Sequence, residues 1–262
     1  MTTVQTMLAR GLKFATALLI GACALTGCAS KDDGLVSPNV LVSPFAASRG
    51  EVLLAVAPPM NESGVSTVDV LLIGDELVAA LSEARGLSAV PMNRTLAAMS
   101  AQGLKGVRSP AEAKVLAGAL GVDGVVVASV TAYDPYDPPK IGLALALYMK
   151  DAAAATPVDP RSLTGAYTDQ PARGGTTFQQ RPAASVVEHM DAANHEILID
   201  LKDFARGRHD PKSALTWRRY TASMELYTQF AAYRTVRRLL EKETERLGAE
   251  LAVAGTEGKE TR

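Results

Sequence analysis

The sequence predicts an α/β fold, a mixed sheet layered with helices, followed by a long C-terminal helix. Three observations carry that expectation. Val52–Ala57 and Val125–Val127 are unbroken apolar runs of the kind that fill central strands covered on both faces. Capped helical stripes lie between them, giving the order strand, helix, strand, helix, helix, strand, which calls for parallel pairing and right-handed crossovers. Beyond them, Ile141–Met149 alternates large and small residues with the period of two that marks a strand.

The elements follow in order. The run after Glu51 is stopped by Pro58-Pro59, and Asn61–Thr67 is a polar turn. From Val68 a stripe through Leu71, Leu72, Val78 and Leu81 predicts a helix, broken once by Asp75 and closed by Gly86. Leu87–Pro91 is a short strand, and Asn93 is placed to cap a helix over Arg94–Ala101. Ser109-Pro110-Ala111-Glu112 supplies a cap, a proline at the first helical position and an acid in the first turn, so a helix runs to Leu120 and stops at Gly121. Val122–Tyr133 is a second buried strand. The segment Tyr133–Pro139, rich in proline, turns the chain into an antiparallel return strand at Ile141–Met149. Asp151–Arg181, rich in Ala, Pro, Gly and Thr, reads as a long insertion. Ala184–Met190 is a strand and Asp191–Phe204 a short helix. A loop at 206–212 leads into one long helix from Ser213 to about Leu251, with Trp217, Tyr220, Met224, Tyr227 and Ala231 on one stripe. Its turns past Glu241 are expected to be solvated.

The first residues form a separate unit. Arg10 and Lys13 precede an apolar run, Phe14–Leu25, and then Leu25-Thr26-Gly27-Cys28. The run falls short of the roughly 20 residues a spanning helix needs and suits a cleaved signal peptide. The tetrapeptide resembles the bacterial lipobox. That resemblance implies cleavage before Cys28, diacylation of its sulfur and acylation of the new amino terminus. The alternative is an ordinary signal peptide with a cysteine near the cut. Ala29 and Ser30 follow, with no Asp directly after the cysteine, which favours the outer membrane facing the periplasm. The expected organisation is therefore a signal peptide at 1–27, a tether at 28–50 of which a few residues pack locally, and an α/β domain at 51–190. A helical segment at 191–251 and a disordered tail at 252–262 complete it.

Removing residues 1–27 leaves 25 of the 27 Lys and Arg against 28 Asp and Glu, a net charge of about −3. That balance gives no reason to expect nucleic acid, which is captured by concentrated basic surface. The other cysteine, Cys23, leaves with the signal, so thiolate catalysis and thiolate metal sites are excluded by counting. No cofactor and no metal is expected.

His189, Asp191, His195 and Glu196 cluster in sequence but lack the His-Glu-x-x-His spacing that converges on a metal, and read as a solvated strand-to-helix junction. No phosphate loop, dinucleotide motif or Gly-x-Ser-x-Gly elbow occurs. Asp134 and Asp137 each precede proline, where short polar side chains stabilise turns. Tyr133 and Tyr136 are aromatics on a proline-stiffened loop, where display costs little entropy on binding. With Trp217, Tyr220 and Tyr227 they form the expected partner-binding set. The terminal helix carries Arg218, Arg219, Arg234, Arg237, Arg238, Lys242 and Arg246, interleaved with Glu225, Glu241, Glu243 and Glu245. It reads as a solvated face over a packed aromatic stripe, with a partner or self-association helix, or one lying on anionic lipid, as the alternatives.

Several stretches carry a family resemblance. They are Val52–Ala57 leading to Pro58-Pro59 and Asn61-Glu62-Ser63-Gly64, the helix with Leu77 and Leu81, Ala117–Val127 with its Gly-x-Asp, and Ser129–Asp134. Together they resemble a group of bacterial lipoproteins with a common α/β core: the curli-secretion (CsgG-like) lipoproteins, flagellar-associated FlgO-like proteins, lipoprotein activators of penicillin-binding proteins, and the amino-terminal domain of TolB. The resemblance implies a fold and an envelope setting, and brings over no catalytic residue. Ile141–Met149 is the one stretch with the alternation of a membrane strand, and the resemblance puts it inside the soluble sheet, so no secretion channel is expected. The expected function is a non-catalytic, lipid-anchored binding or scaffolding lipoprotein with an envelope protein as partner. A subunit of an oligomeric secretion or flagellar-associated assembly, hence a homo-oligomer, and an envelope hydrolase without a recognisable motif are the alternatives.

Overall fold

A computed structural model describes residues 36–45, 50–150, 181–210 and 212–260. The signal segment, Cys28 and nearly all of the insertion expected at Asp151–Arg181 lie outside the described residues. The run after Glu51 forms β1 (Val52–Val56), and Met60–Asn61 forms a two-residue strand, β2. There follow α1 (Val70–Ser82), β3 (Leu87–Val90), α2 (Met92–Ala101), α3 (Pro110–Leu120) and β4 (Gly124–Asp134). The second half contributes β5 (Lys140–Met149), β6 (Ala184–Asp191) and α4 (His195–Ala205). A 3-10 turn (Thr216–Arg218), α5 (Arg219–Ala222) and α6 (Met224–Glu260) end it.

These strands make one mixed sheet in the order β3-β1-β4-β5-β6, with β2 alongside β4. β1 runs parallel to both β3 and β4, whereas β4–β5 and β5–β6 are antiparallel. The expected α/β class with a mixed sheet and a long C-terminal helix is the class observed. Leu54 and Val56 face the layer holding Ile73 and Leu77 of α1. Ala55 and Ala57 face the opposite layer, with Met99 of α2 and Ala113 and Leu116 of α3. A strand covered on both faces has no polar side, which is why Val52–Ala57 reads as an unbroken apolar run.

The antiparallel half is covered differently. Ile141, Leu143, Leu145 and Leu147 of β5 are buried with Tyr227, Phe230, Val236 and Leu239 of α6. Each such side chain contributes roughly 1.5–3 kcal/mol when fully buried. The terminal helix is therefore a layer of the domain, and its aromatic stripe packs on the chain's own sheet. The small residues of β5 lie on the other face, Ala146 beside Val127 and Ser185, and Ala144 beside Ser129 and Val187.

Local signals explain the boundaries. Ser109 accepts a hydrogen bond from Glu112 N–H at 3.2 Å, and the Glu112 carboxylate accepts from Ser109 N–H at 3.0 Å, a complete capping box. α3 ends at Gly121, whose φ of 69° lies in the left-handed region where a glycine is unstrained. Ser109→Ala is expected to lower stability by about 1 kcal/mol, read as a shift of the urea midpoint with unchanged slope. Asp123 accepts from Leu53 N–H at 2.9 Å, and its own N–H donates to the Leu53 carbonyl at 2.8 Å. The Gly-x-Asp segment thus fastens the start of β4 to β1.

Three expectations are corrected. Asn93 does not cap α2: the helix starts at Met92, with Pro91 in the cap position and no side-chain cap, because the fixed φ of proline already sets the entry. The long helix does not begin at Ser213. Ser223 is extended (φ −131°, ψ 121°), its hydroxyl accepts from Leu226 N–H and its carbonyl from Tyr227 N–H, so a serine cap splits the stretch in two. Ahead of β1, Leu41 and Phe45 are buried, and Val42 bridges to Arg85 beside β3. Past Glu241 the helix is not wholly solvated, since Glu243 is buried and pairs with Arg246 at 2.5 Å.

Candidate functional site

The five expected partner residues fall into two environments. Asp134 Oδ1 accepts from Tyr136 N–H at 3.2 Å, closing the turn after β4 in the role expected of an aspartate before proline. This leaves Tyr136 80 % exposed at the tip of the β4–β5 hairpin. Tyr133, one turn back, is half-buried against the core, and burial raises its phenol above the ordinary value, with Asp69 adding to the shift. The hairpin therefore displays one aromatic ring and anchors the other.

Trp217, Tyr220 and Tyr227 belong to the packing. Tyr227 is fully buried, its ring 5.7 Å from Phe230, and burial drives its phenol strongly upward. Tyr220 is buried edge-on to Phe204 at 5.4 Å and donates to the Arg208 carbonyl at 3.3 Å. Trp217 is half-buried, with Lys202 Nζ at 4.7 Å and Arg218 at 4.9 Å over its ring. Tyr220 and Tyr227 are thus buried within the chain's own packing.

His189 and His195 are exposed, on β6 and at the start of α4. Asp191 pairs with Lys140 at 3.1 Å and accepts from Ala193 N–H at 2.8 Å; the Ala193 hydrogen bond leads in holding its carboxyl below the usual range. Asn194 caps α4 by accepting from Glu196 N–H at 2.9 Å. The group is a built strand-to-helix junction. Among the described residues no set of three or more His, Cys, Asp or Glu is placed to hold a metal ion, and no helix is long and apolar enough to cross a membrane.

Three features escape a sequence reading. The first is an ion cluster that ties α6 to β6 and α4. Arg234, only 9 % exposed, bonds Asp200 at 2.8 Å and also pairs with Glu188. Arg237 reaches Asp200 at 3.2 Å and Arg238 reaches Glu241 at 3.0 Å. Arg234 is thus not on a solvated face, contrary to the expectation from the helix alone. The second is a cavity of about 330 Å³ between α1, α4 and α6. There the Arg208 guanidinium lies 4.6 Å from the Phe204 ring centre and 5.3 Å from that of Tyr233, and bonds Glu83 at 2.7 and 3.1 Å. Glu76 shares this cavity with Gln229 as its amide partner at 3.3 Å. Burial, opposed by that bond and reinforced by Glu225, Asp75 and Glu83, raises its carboxyl above the usual range. The third is a larger cleft of about 630 Å³ beyond the carboxyl end of β1. Neither cleft could be foreseen, because its walls come from segments far apart in the chain.

No known family model matches the chain, and no curated protein matches it. Among solved structures it is similar to lipoprotein GNA1162 from Neisseria meningitidis, with 16 % identity over 55 % of this chain and 85 % of that one, at a TM-score of 0.34. It is similar to a Xanthomonas campestris protein at 12 % identity over 82 % and 98 % of the two chains, TM-score 0.35. A dodecamer of PelC from Paraburkholderia phytofirmans shows 9 % identity over 74 % and 94 %, TM-score 0.28.

Proposed function

We propose that this chain is a lipid-anchored, non-catalytic binding or scaffolding lipoprotein of the cell envelope, held at the outer membrane and facing the periplasm. Its partner is another envelope protein, engaged at the β4–β5 hairpin. The observation that carries the reading is Tyr136, 80 % exposed at the tip of a turn stiffened by three prolines and fixed by Asp134. A large ring on a preset loop buries apolar area without much loss of freedom. The lipobox-like Cys28 supplies the confinement to a surface, and the sequence resemblance to envelope lipoproteins agrees with it. The test is a photo-crosslinking residue at position 136 in native envelopes, with the exposed Lys114 position as control. A discrete adduct at 136 and none at 114 is expected; equal labelling at both positions, or none, removes the hairpin as the recognition element.

A second reading, a subunit of an oligomeric envelope secretion or flagellar-associated assembly, is favoured by Val187, which is 73 % exposed on the edge strand β6. Sizing the lipoprotein in mild detergent separates the two readings. A closed ring supports the second; a strict monomer removes it.

A further inference from the structure

We propose that the cleft beyond the carboxyl end of β1 is a binding site for a small organic oxyanion, a carboxylate or phosphate joined to an apolar body. Its position follows from the topology. The connection from β1 through α1 leads to β3 on one side, and the return through α2 and α3 crosses to β4 on the other, with α1 and α3 on opposite faces of the sheet. In parallel sheets the chain parts at such a reversal and leaves a crevice outside the strand ends. Here β3 stops at Val90 and Pro91 turns into α2. The chain after β1 continues through Pro58 and Pro59, which have no N–H to offer a neighbour, before β2 rejoins β4 at Ser129 and Val130.

The lining decides the ligand class. Pro58, Pro59, Met60 and Val70 give apolar surface, and the α2–α3 loop supplies Lys105 and Arg108. Both cations are exposed and make no direct side-chain ion pair among the described residues; Arg108 acts on the Glu112 carboxylate only through space. Gly106 stands between them, and a side chain there would meet nothing closer than Arg108 Nε at 3.9 Å, so the mouth is open. The N-terminus of α1 contributes no free donors where Asp69 already accepts from Leu71 and Leu72 N–H at 3.1 and 3.0 Å. Glu112 likewise takes the Arg108 and Ser109 N–H groups. The two cationic side chains are what remain for an anion. Glu62, the carboxylate among the lining residues, disfavours a second acidic group on the ligand. An apolar floor with a cationic rim selects a single acidic group on an apolar frame.

The test is calorimetric titration of the full chain in mild detergent at low ionic strength with phenyl phosphate, with inorganic phosphate and benzyl alcohol as partial probes. Saturable one-to-one binding of phenyl phosphate is expected, with each partial probe at least tenfold weaker. Hydrogen exchange should slow at 58–62 and 104–108 on binding. Lys105→Ala with Arg108→Ala is expected to weaken binding at least tenfold, while Lys114→Ala, on the exposed face of α3, leaves it unchanged. Undiminished binding by the double variant, binding no tighter than inorganic phosphate, or protection confined to other segments overturns the proposal. Both substituted side chains are exposed, so the variant's melting temperature should match that of the parent chain and confirm that folding is intact.

Discussion

Replacing Cys28 by serine is expected to release the protein from the membrane. The substitution is best made in a chain whose residues 1–27 are exchanged for an ordinary secretory signal, so that an uncleaved signal cannot hold the product. No helix among the described residues is long and apolar enough to span. The net charge of about −3 over residues 28–262 gives no general attraction to an anionic surface. Each buried methylene of an acyl chain contributes about 0.8 kcal/mol, so one chain binds reversibly and two or more bind durably. The three chains proposed for Cys28 would therefore shift partition between pelleted envelope and periplasmic extract more than tenfold. Mass spectrometry of the N-terminal peptide from the parent protein should show the acyl masses. An unmodified terminus, or a serine variant that still pellets fully, would remove the anchor and with it the envelope assignment.

The sequence was informative where the physics is local. Ser109, Pro110, Glu112 and Gly121 bracket α3 because caps act over three or four residues, and the structure has the helix start and stop at them. The period of two in Ile141–Met149 revealed both the strand and its two faces, since side chains in a strand must alternate. It failed where a distant contact or a single residue overrode a pattern. The stripe running from Trp217 to Ala231 looks continuous, yet Ser223 takes an extended backbone and begins a new helix. Asn93 has the chemistry of a cap but sits one residue inside a helix that Pro91 had already started.

The candidate sites divide in the same way. Tyr136 was legible because a Pro-Tyr-Asp-Pro turn constrains its own display, and it is exposed as that local argument requires. Tyr220 and Tyr227 belong to the same residue class, but their burial depends on α6 lying across β5 and β6, which no local pattern states. The Gly-x-Asp segment could be quoted as a resemblance, whereas the bond from Leu53 N–H to Asp123 that gives it a purpose spans 70 residues. The oxyanion cleft is less visible still. Pro58 and Arg108 acquire a joint meaning only when the crossover to β3 sets the two loops side by side.

Arg234→Met is expected to destabilise the fold by about 2–4 kcal/mol, somewhat under the roughly 3–5 kcal/mol of breaking a fully buried ion pair one partner at a time. The methionine keeps most of the aliphatic stem, so the loss falls on the guanidinium. Without it, Glu188 on β6 and Asp200 on α4, whose side chains are only 19 % and 28 % exposed, lose the cation that both share. Arg238 stands 3.9 Å from Glu188 and Arg237 3.2 Å from Asp200, which limits the damage and sets the estimate below the upper bound. Adding Glu188→Leu and Asp200→Leu to Arg234→Met should recover most of the loss, because an apolar replacement of the whole cluster leaves no stranded charge. By contrast, Lys242→Ala removes a pair whose side chains are 58 % and 66 % exposed, and should change stability by less than about 0.5 kcal/mol. Urea unfolding of the four chains gives the comparison. If Arg234→Met were as mild as Lys242→Ala, the cluster would be ornamental, and the docking of α6 on β6 and α4 would rest on the apolar face alone. If the triple variant fell further than the single one, the cluster would be fixing how these elements meet, beyond the cost of a lone buried charge.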